Sequence, residues 1–443
     1  MPDNTRLGQI DHIVVLMEEN RSFDHMLGFL YTGRQTPSGK PFEGLTGQES
    51  VPGDSGRVTV FPIDRTTPDA YFMPGADPRE GYAPTNSQLF GTPTPSVPAP
   101  AATMDGFVAG FADALQYDSQ KHRPIYPGTK PENIMGCFTP EALPVLSGLA
   151  RGYAVCDHWY SSAPTETLPN RAFALAGTSL GRMDDNVRGI PIPFDTPSIF
   201  GLLEKNSVDW AIYSDGKLLT RHDFPDTQQA DQRHFGSFTD FERAAGTGTL
   251  PRGFTFLEPD WSPTTGNDQH PNYDVAAGEQ LIHDVYYTLR NGPNWNRTLL
   301  VVTYDEHGGC YDHVAPPSGA VPPDDSQGEF GFDFTRFGVR VPAVLVSPLI
   351  EPGTVFRVDG TTPLDHTSLL KTIEQRWKLP PLTRRDEAAP GIGEVLTLDQ
   401  PRTDDPLDGV AVPTSSGNNP ARGTTSHLDT VCEALAAQHL SSA

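Results

Sequence analysis

The stretch 298–317, TLLVVTYDEHGGCYDHVAPP, restricts the possible fold more than any other part of the chain. Its first third is a near-continuous apolar, β-branched run from Leu299 to Thr303. That is the pattern of a strand buried on both faces, as in a parallel sheet covered by helices. The run stops at Tyr304-Asp305-Glu306-His307, and Gly308-Gly309 then turns the chain. In open parallel sheets the ligand crevice lies outside the carboxyl ends of the strands. Two adjacent acids followed by a Gly-Gly turn suit a hard divalent cation there, because oxygen ligands converge where the backbone bends sharply. Taken alone, the same residues equally describe a solvated turn with surface acids.

A second stretch repeats the arrangement. Residues 10–17, IDHIVVLM, read as another buried strand, and it ends at Glu18-Glu19-Asn20. Helical spacing of Phe23, Met26, Leu27 and Leu30 follows. Residues 274–290 carry one apolar stripe through Val275, Leu281, Ile282, Val285, Tyr286 and Leu289, which predicts a helix feeding the strand at 298. Further strands are expected at 153–156, 210–213 and 342–347, and further helices at 141–151, 172–176, 200–205, 368–377 and 428–440. The expected fold is therefore α/β, with a mostly parallel central sheet and helices on both faces. A catalytic domain spans 1–400, and a tail and helix at 401–443 pack on it. Two Gly/Pro-rich excursions, 33–103 (with a short hairpin around 57–63) and 316–332, are expected to cover the crevice.

The charge balance narrows the partners. With 32 basic and 56 acidic side chains the net charge is −24, which argues against nucleic-acid binding and against electrostatic docking on anionic membranes. No apolar run reaches membrane-span length, so no stable membrane insertion is expected. A phosphate substrate remains compatible with this acidity, because a bound metal inverts the local field. Cys137, Cys156, Cys310 and Cys432 form no close-spaced metal pattern, and leave room for one or two disulfides in an exported chain. No signal-like segment precedes the first strand, giving the expectation of a cytoplasmic protein or an exported one whose leader has been removed.

Between these strands lies SSAPTETLPNRAFALAGTS, residues 161–179. Thr167 stands just ahead of the expected helix, where a hydroxyl ordinarily caps the backbone. The same place favours a phosphate. Arg171 suits either phosphate binding or bracing acids such as Asp157.

Glu19-Asn20-Arg21-Ser22-Phe23-Asp24-His25, Thr167-Leu168-Pro169-Asn170-Arg171 and the run from Asp305 to Val314 together resemble the bacterial phospholipase C/acid phosphatase (phosphoesterase) family, within the alkaline-phosphatase-like superfamily. Asn267 to Pro271 and Asp365-His366 fit the same resemblance. It implies a metal-dependent hydrolase of phosphate esters, acting on phosphodiesters in the manner of a phospholipase C or on phosphomonoesters. By that resemblance Glu19, Asn20, Thr167, Asp305 and Glu306 hold one divalent ion (calcium, magnesium, manganese or zinc). Thr167 is the nucleophile that becomes phosphothreonine, and His234 and His270 contact the phosphoryl group, which Asn20 also approaches, and the leaving oxygen. One departure is visible. The family commonly has Asp-Pro-x-His in the first excursion, whereas Asp77-Pro78-Arg79-Glu80 places Glu80 at the substrate-contacting position. Asp312, His313, Asp365 and His366 are expected to orient ligands. A catalytically weak binding protein for phosphorylated headgroups, or a sulfate or phosphonate esterase, are the alternatives.

Overall fold

The computed structural model describes residues 6–31, 36–190, 192–262, 264–417 and 427–442. At its centre lies a sheet of eight strands: β1 (His12–Glu18), β2 (Ala154–Val155), β3 (Asp209–Ser214), β4 (Phe235–Ser237), β5 (Gly253–Glu258), β6 (Thr298–Tyr304), β7 (Ala343–Val346) and β8 (Thr354–Val355). They lie in the order β8-β2-β7-β6-β1-β5-β3-β4. β7 runs antiparallel to both its neighbours, and every other pairing in this sheet is parallel. The sheet is thus mixed but mostly parallel, as the apolar runs predict.

β1 and β6 are adjacent at the middle, and every residue of both is buried. Side chains alternate between faces along a strand, so full burial means that both faces are covered. Their register pairs His12 with Thr298 and Glu18 with Tyr304. It follows that Glu19 and Asp305 leave the sheet side by side, and the Asp305 N–H still donates to the Glu18 carbonyl at 3.3 Å. The site is positioned by this one register.

The helices used below are α1 (Phe23–Leu27), α2 (Tyr82–Phe90), α3 (Phe107–Lys121), α4 (Thr167–Ala176), α5 (Val275–Arg290), α6 (Thr367–Trp377) and α7 (His427–Ser442). α5 forms where the stripe predicts, with Asp274 accepting the Ala276 N–H as its cap. Leu428, Val431, Cys432 and Leu435 of α7 join the main core.

Three expectations are corrected. β5, which flanks β1, has no counterpart in the sequence reading. The excursion 33–103 is not bare loop: Ser50–Gly53 pairs with Gly56–Thr59 as the hairpin, and Phe61–Ile63 instead pairs in parallel with Gly136–Phe138. With α2 and α3 it builds a second core around Leu45, Leu89, Phe107 and Phe111. α2 escapes a search for apolar periodicity because Thr85, Asn86 and Gln88 lie on its buried side. The four cysteines are free and buried, so no disulfide forms.

Candidate active site

The ends of β1 and β6 and the start of α4 converge. α4 begins at Thr167 itself rather than at residue 172, with Glu166 as the preceding cap residue. Pro169 is tolerated in the first turn because it has no N–H to leave bare. The Leu168 N–H is taken by Asp185 Oδ1 at 2.8 Å. The Thr167 hydroxyl donates to Glu19 Oε1 at 2.8 Å and lies 3.2 Å from Asn20 Oδ1. Asn20 adopts a left-handed backbone (φ 53°), and its N–H donates to Asp305 Oδ1 at 3.0 Å. Strained conformations of this kind cluster at functional sites. Gly308 (φ 60°) is required beside it, since a Cβ there would lie 2.0 Å from the Asn20 carbonyl oxygen.

Arg171, one turn along α4 from Thr167, binds Asp305 Oδ2 at 3.0 Å and Glu19 Oε2 at 3.1 Å, and donates to the Met17 and Glu18 carbonyls. It braces these two acids and not Asp157, which pairs with Arg357. Burial opposes the charge on Arg171, but Asp305 and Glu19 hold its pKa up. Burial, and then the charge of Asp305, push the carboxyls of Glu19 and Glu306 well above the usual range. Glu306 Oε2 accepts the Gly308 N–H at 2.8 Å, while Oε1 is buried with no partner. Several hard oxygens, one guanidinium and an unfilled carboxylate oxygen fit a divalent cation, whose charge the acids need when ionised together. His366 holds the carbonyl of Asp305 through Nε2 at 2.5 Å, and thereby orients its acid.

Of these groups Glu19 and Thr167 open into a cavity of about 730 Å³, lined also by Glu80, Glu166, Asp268 and His270, among others. Glu80 therefore does face Thr167 across one space. Burial, followed by the charges of Asp77, Glu306 and Glu166, keeps the Glu80 carboxyl well above its usual range, and its Oε2 has no partner. Asp77, Glu80 and His270 each place a ligand atom within 4.8 Å of the others, a mixed carboxylate–imidazole set. His270 sits on a clamped loop: its N–H donates to Asp268 Oδ1 at 3.0 Å, and Arg21 binds the Gln269 carbonyl at 2.6 Å and the His270 carbonyl at 3.2 Å. Its Nδ1 lies 3.0 Å from the Pro271 carbonyl, so the proton sits on Nδ1 and Nε2 carries the lone pair. Burial lowers its pKa, against the raising pull of Asp77.

His234 is a correction. Its Nδ1–H donates to the Trp210 carbonyl at 2.7 Å, its ring stacks on Trp210 at 3.9 Å, and Nε2 lies 3.4 Å from Glu204. Trp210 is the second residue of β3, so His234 sits at the amino end of the sheet, opposite the site. The family resemblance nominates it for the phosphoryl group, and the structure places it away from Thr167. Conversely, His427 at the start of α7 lines the cavity and lies 3.3 Å from Asp185. It is far away in sequence and carries no local signal. Asp312 and His313 do not line the cavity either: Asp24 and Asp312 both pair with Arg340, and His313 pairs with Asp24.

A mostly parallel sheet that delivers an acid and a helix-borne hydroxyl to one cavity is the architecture of an α/β enzyme. The sequence matches the Phosphoesterase family over residues 10–380, and the chain belongs to that family. It is a phosphoric ester hydrolase. The protein is 36% identical over 413 residues to non-specific phospholipase C6 of Arabidopsis thaliana, covering 90% of this chain and 74% of that one. Non-specific phospholipase C1 of the same plant is 36% identical over 419 residues, covering 90% and 73%. Phospholipase C A of Mycobacterium tuberculosis is 28% identical over 415 residues, covering 84% and 74%. A solved protein in the alkaline phosphatase superfamily from Vibrio parahaemolyticus shows a partial likeness, with a TM-score of 0.34, 13% identity, and 56% and 64% of the two chains covered.

Proposed function

We propose that this chain is a metal-dependent phospholipase C-type phosphodiesterase working through a phosphothreonine at Thr167. The observation that carries the reading is the Thr167 hydroxyl lying 2.8 Å from Glu19 and 3.2 Å from Asn20, inside one cavity of a phosphoesterase-family chain. The names of the relatives at 36% identity support a phospholipid as the ester.

Glu19, Asn20, Asp305, Glu306 and the Thr167 oxygen would hold the ion. When bound, a divalent cation lowers the pKa of an adjacent hydroxyl and screens charge on phosphoryl oxygens. Arg171 keeps Glu19 and Asp305 fixed, so that Thr167 Oγ1 is presented in one orientation. Thr167 gives its proton to Glu19 Oε1, which accepts it at 2.8 Å, and attacks phosphorus; the bond from phosphorus to the departing alcohol breaks, leaving the headgroup phosphoryl ester joined to the Thr167 oxygen. Glu80, held protonated, gives its proton to the departing oxygen. His270, neutral with its lone pair on Nε2, takes the proton of the water that then cleaves the phosphothreonine. Two titratable groups pushed in opposite directions by their surroundings thus divide the acid and base roles.

The experiment is metal depletion and add-back, with p-nitrophenylphosphorylcholine as substrate. Chelation should abolish turnover and one of calcium, magnesium, manganese or zinc should restore it. Thr167→Ala should lower kcat on the order of 10⁴-fold with the fold intact, while Thr167→Ser retains measurable turnover. Undiminished activity in Thr167→Ala, or in the chelated protein, contradicts the reading.

A further inference from the structure

A second concavity of about 520 Å³ takes no part in the chemistry above. One short stretch of chain reaches both: Glu80 lines the first, Gly81 precedes α2, and Tyr82 lines the second. The groove is walled by Tyr82, Phe90, Phe332 and Phe337, and by the proline-rich segment around Val97. Among the described residues, the large hydrophobic side chains that stand exposed are Val97 (78%) and Phe330 (68%). Both belong to this place. Val97 lines the groove, and Phe330 stacks flat on Tyr82, with ring centroids 5.8 Å apart and planes 7° from parallel. Phe330 holds a left-handed backbone (φ 57°), an uncommon conformation for a bulky residue, and its ring faces outward. Exposed apolar side chains beside an apolar groove mark an interaction surface.

Two charged residues line the groove, Asp333 and Arg336, and Asp333 Oδ1 is occupied by the Thr335 N–H at 3.1 Å and the Thr335 hydroxyl at 2.7 Å. Arg336 donates through Nη2 to the Tyr82 hydroxyl at 3.2 Å and to Asn86 Oδ1 at 3.1 Å, and its guanidinium lies 5.1 Å from the Phe90 ring and 5.3 Å from the Phe332 ring. Its Nη1 is shielded from solvent and has no partner. A buried donor left bare is costly, so an oxygen acceptor is missing from its surroundings. An apolar slot with one unfilled guanidinium donor matches an acyl chain attached through an ester carbonyl.

We propose that this groove seats an acyl-ester arm of a glycerophospholipid, and that Val97 and Phe330 enter the headgroup–acyl boundary of a neutral membrane surface while the phosphodiester reaches Thr167. The proposal rests on the phospholipid reading of the active site. A chain of net charge −24 is repelled by anionic bilayers, so the surface is zwitterionic and adhesion comes from apolar insertion.

The test uses the full chain and phosphatidylcholine vesicles. Sedimentation with Thr167→Ala avoids consuming the lipid. Val97→Ser with Phe330→Ser should lower vesicle binding about tenfold or more. In the catalytically competent chain the same pair should lower turnover of vesicle phosphatidylcholine comparably, and leave p-nitrophenylphosphorylcholine turnover unchanged. Val97→Trp should raise vesicle binding, and adding phosphatidylserine to the vesicles should weaken it. Arg336→Gln should raise KM for phosphatidylcholine more than for the soluble ester. Unaltered vesicle binding in the double serine variant overturns the proposal. So does an equal loss on the soluble ester, or a concentration-dependent dimer that the double variant abolishes, since a second copy would then occupy the groove. Failure of the wild type on the soluble ester would instead strike at the phosphodiesterase reading.

Discussion

Two buried acidic clusters lie close together in the sequence and have opposite fates. In one, Asp24 and Asp312 face Arg340 at 2.9 and 3.0 Å, with His313 closing the remaining side. Arg340 also donates to the Glu43 and Asp157 carbonyls. In the other, Glu19 and Asp305 share Arg171, the adjoining Glu306 keeps Oε1 bare, and Glu19 and Thr167 line a cavity. The first cluster is a clasp between α1 and the loop after β6. The second leaves one carboxylate oxygen without a partner, while its Glu19 and the neighbouring Thr167 reach a cavity. Adjacent acids therefore say little by themselves; what fills the space between them decides whether they serve structure or chemistry.

The largest expected effect separates the two clusters. Arg340→Leu strands two buried carboxylates and should destabilise the fold by about 3–5 kcal/mol, read as a lower denaturation midpoint, while the protein that remains folded keeps its kcat. An unchanged midpoint would mean that the clasp is dispensable. Next is Glu80→Gln. It should slow phosphatidylcholine hydrolysis by about 10²-fold, worth about 2.7 kcal/mol, and slow a p-nitrophenyl ester much less, because that leaving group departs without an acid. The sign with pH follows from the raised pKa: burial extends the acid form to higher pH than for an ordinary carboxyl, and that form is lost as pH rises through the raised value. Activity on alkyl esters should fall on the alkaline side, and Glu80→Gln should remove that limb. A parallel loss on both substrates would take the proton transfer away from Glu80. His366→Gln, which loosens Asp305 without touching substrate, should weaken metal affinity roughly 10-fold by calorimetric titration. The smallest effect belongs to the misplaced imidazole: His234→Asn should change kcat/KM by less than about twofold, within the range of substitutions far from a site.

What the sequence discloses follows the same division. The buried strands of Glu19 and Asp305 are legible because a parallel strand covered on both faces is an unbroken apolar run, and the adjoining acids mark its carboxyl end. Thr167 is legible through its motif, yet its place as the first residue of α4 is not, since a proline two residues later reads as a break. His234 and His270 look alike in sequence. Only tertiary structure sends one to the amino end of the sheet and the other to the cavity. α2 hides because its buried face is Thr, Asn and Gln, whose partners lie far along the chain: Gln88 Oε1 meets His307 at 2.8 Å. His427 reaches the cavity from beyond residue 400 by packing α7 on the core, and no local pattern encodes that.

The most direct test of the account is acid-quenched mass spectrometry after brief mixing with p-nitrophenylphosphorylcholine. The account predicts a peptide containing Thr167 that carries phosphorylcholine, formed before steady state and absent from Thr167→Ala. Full turnover with phosphorylcholine on no residue, or on a residue other than Thr167, would contradict it.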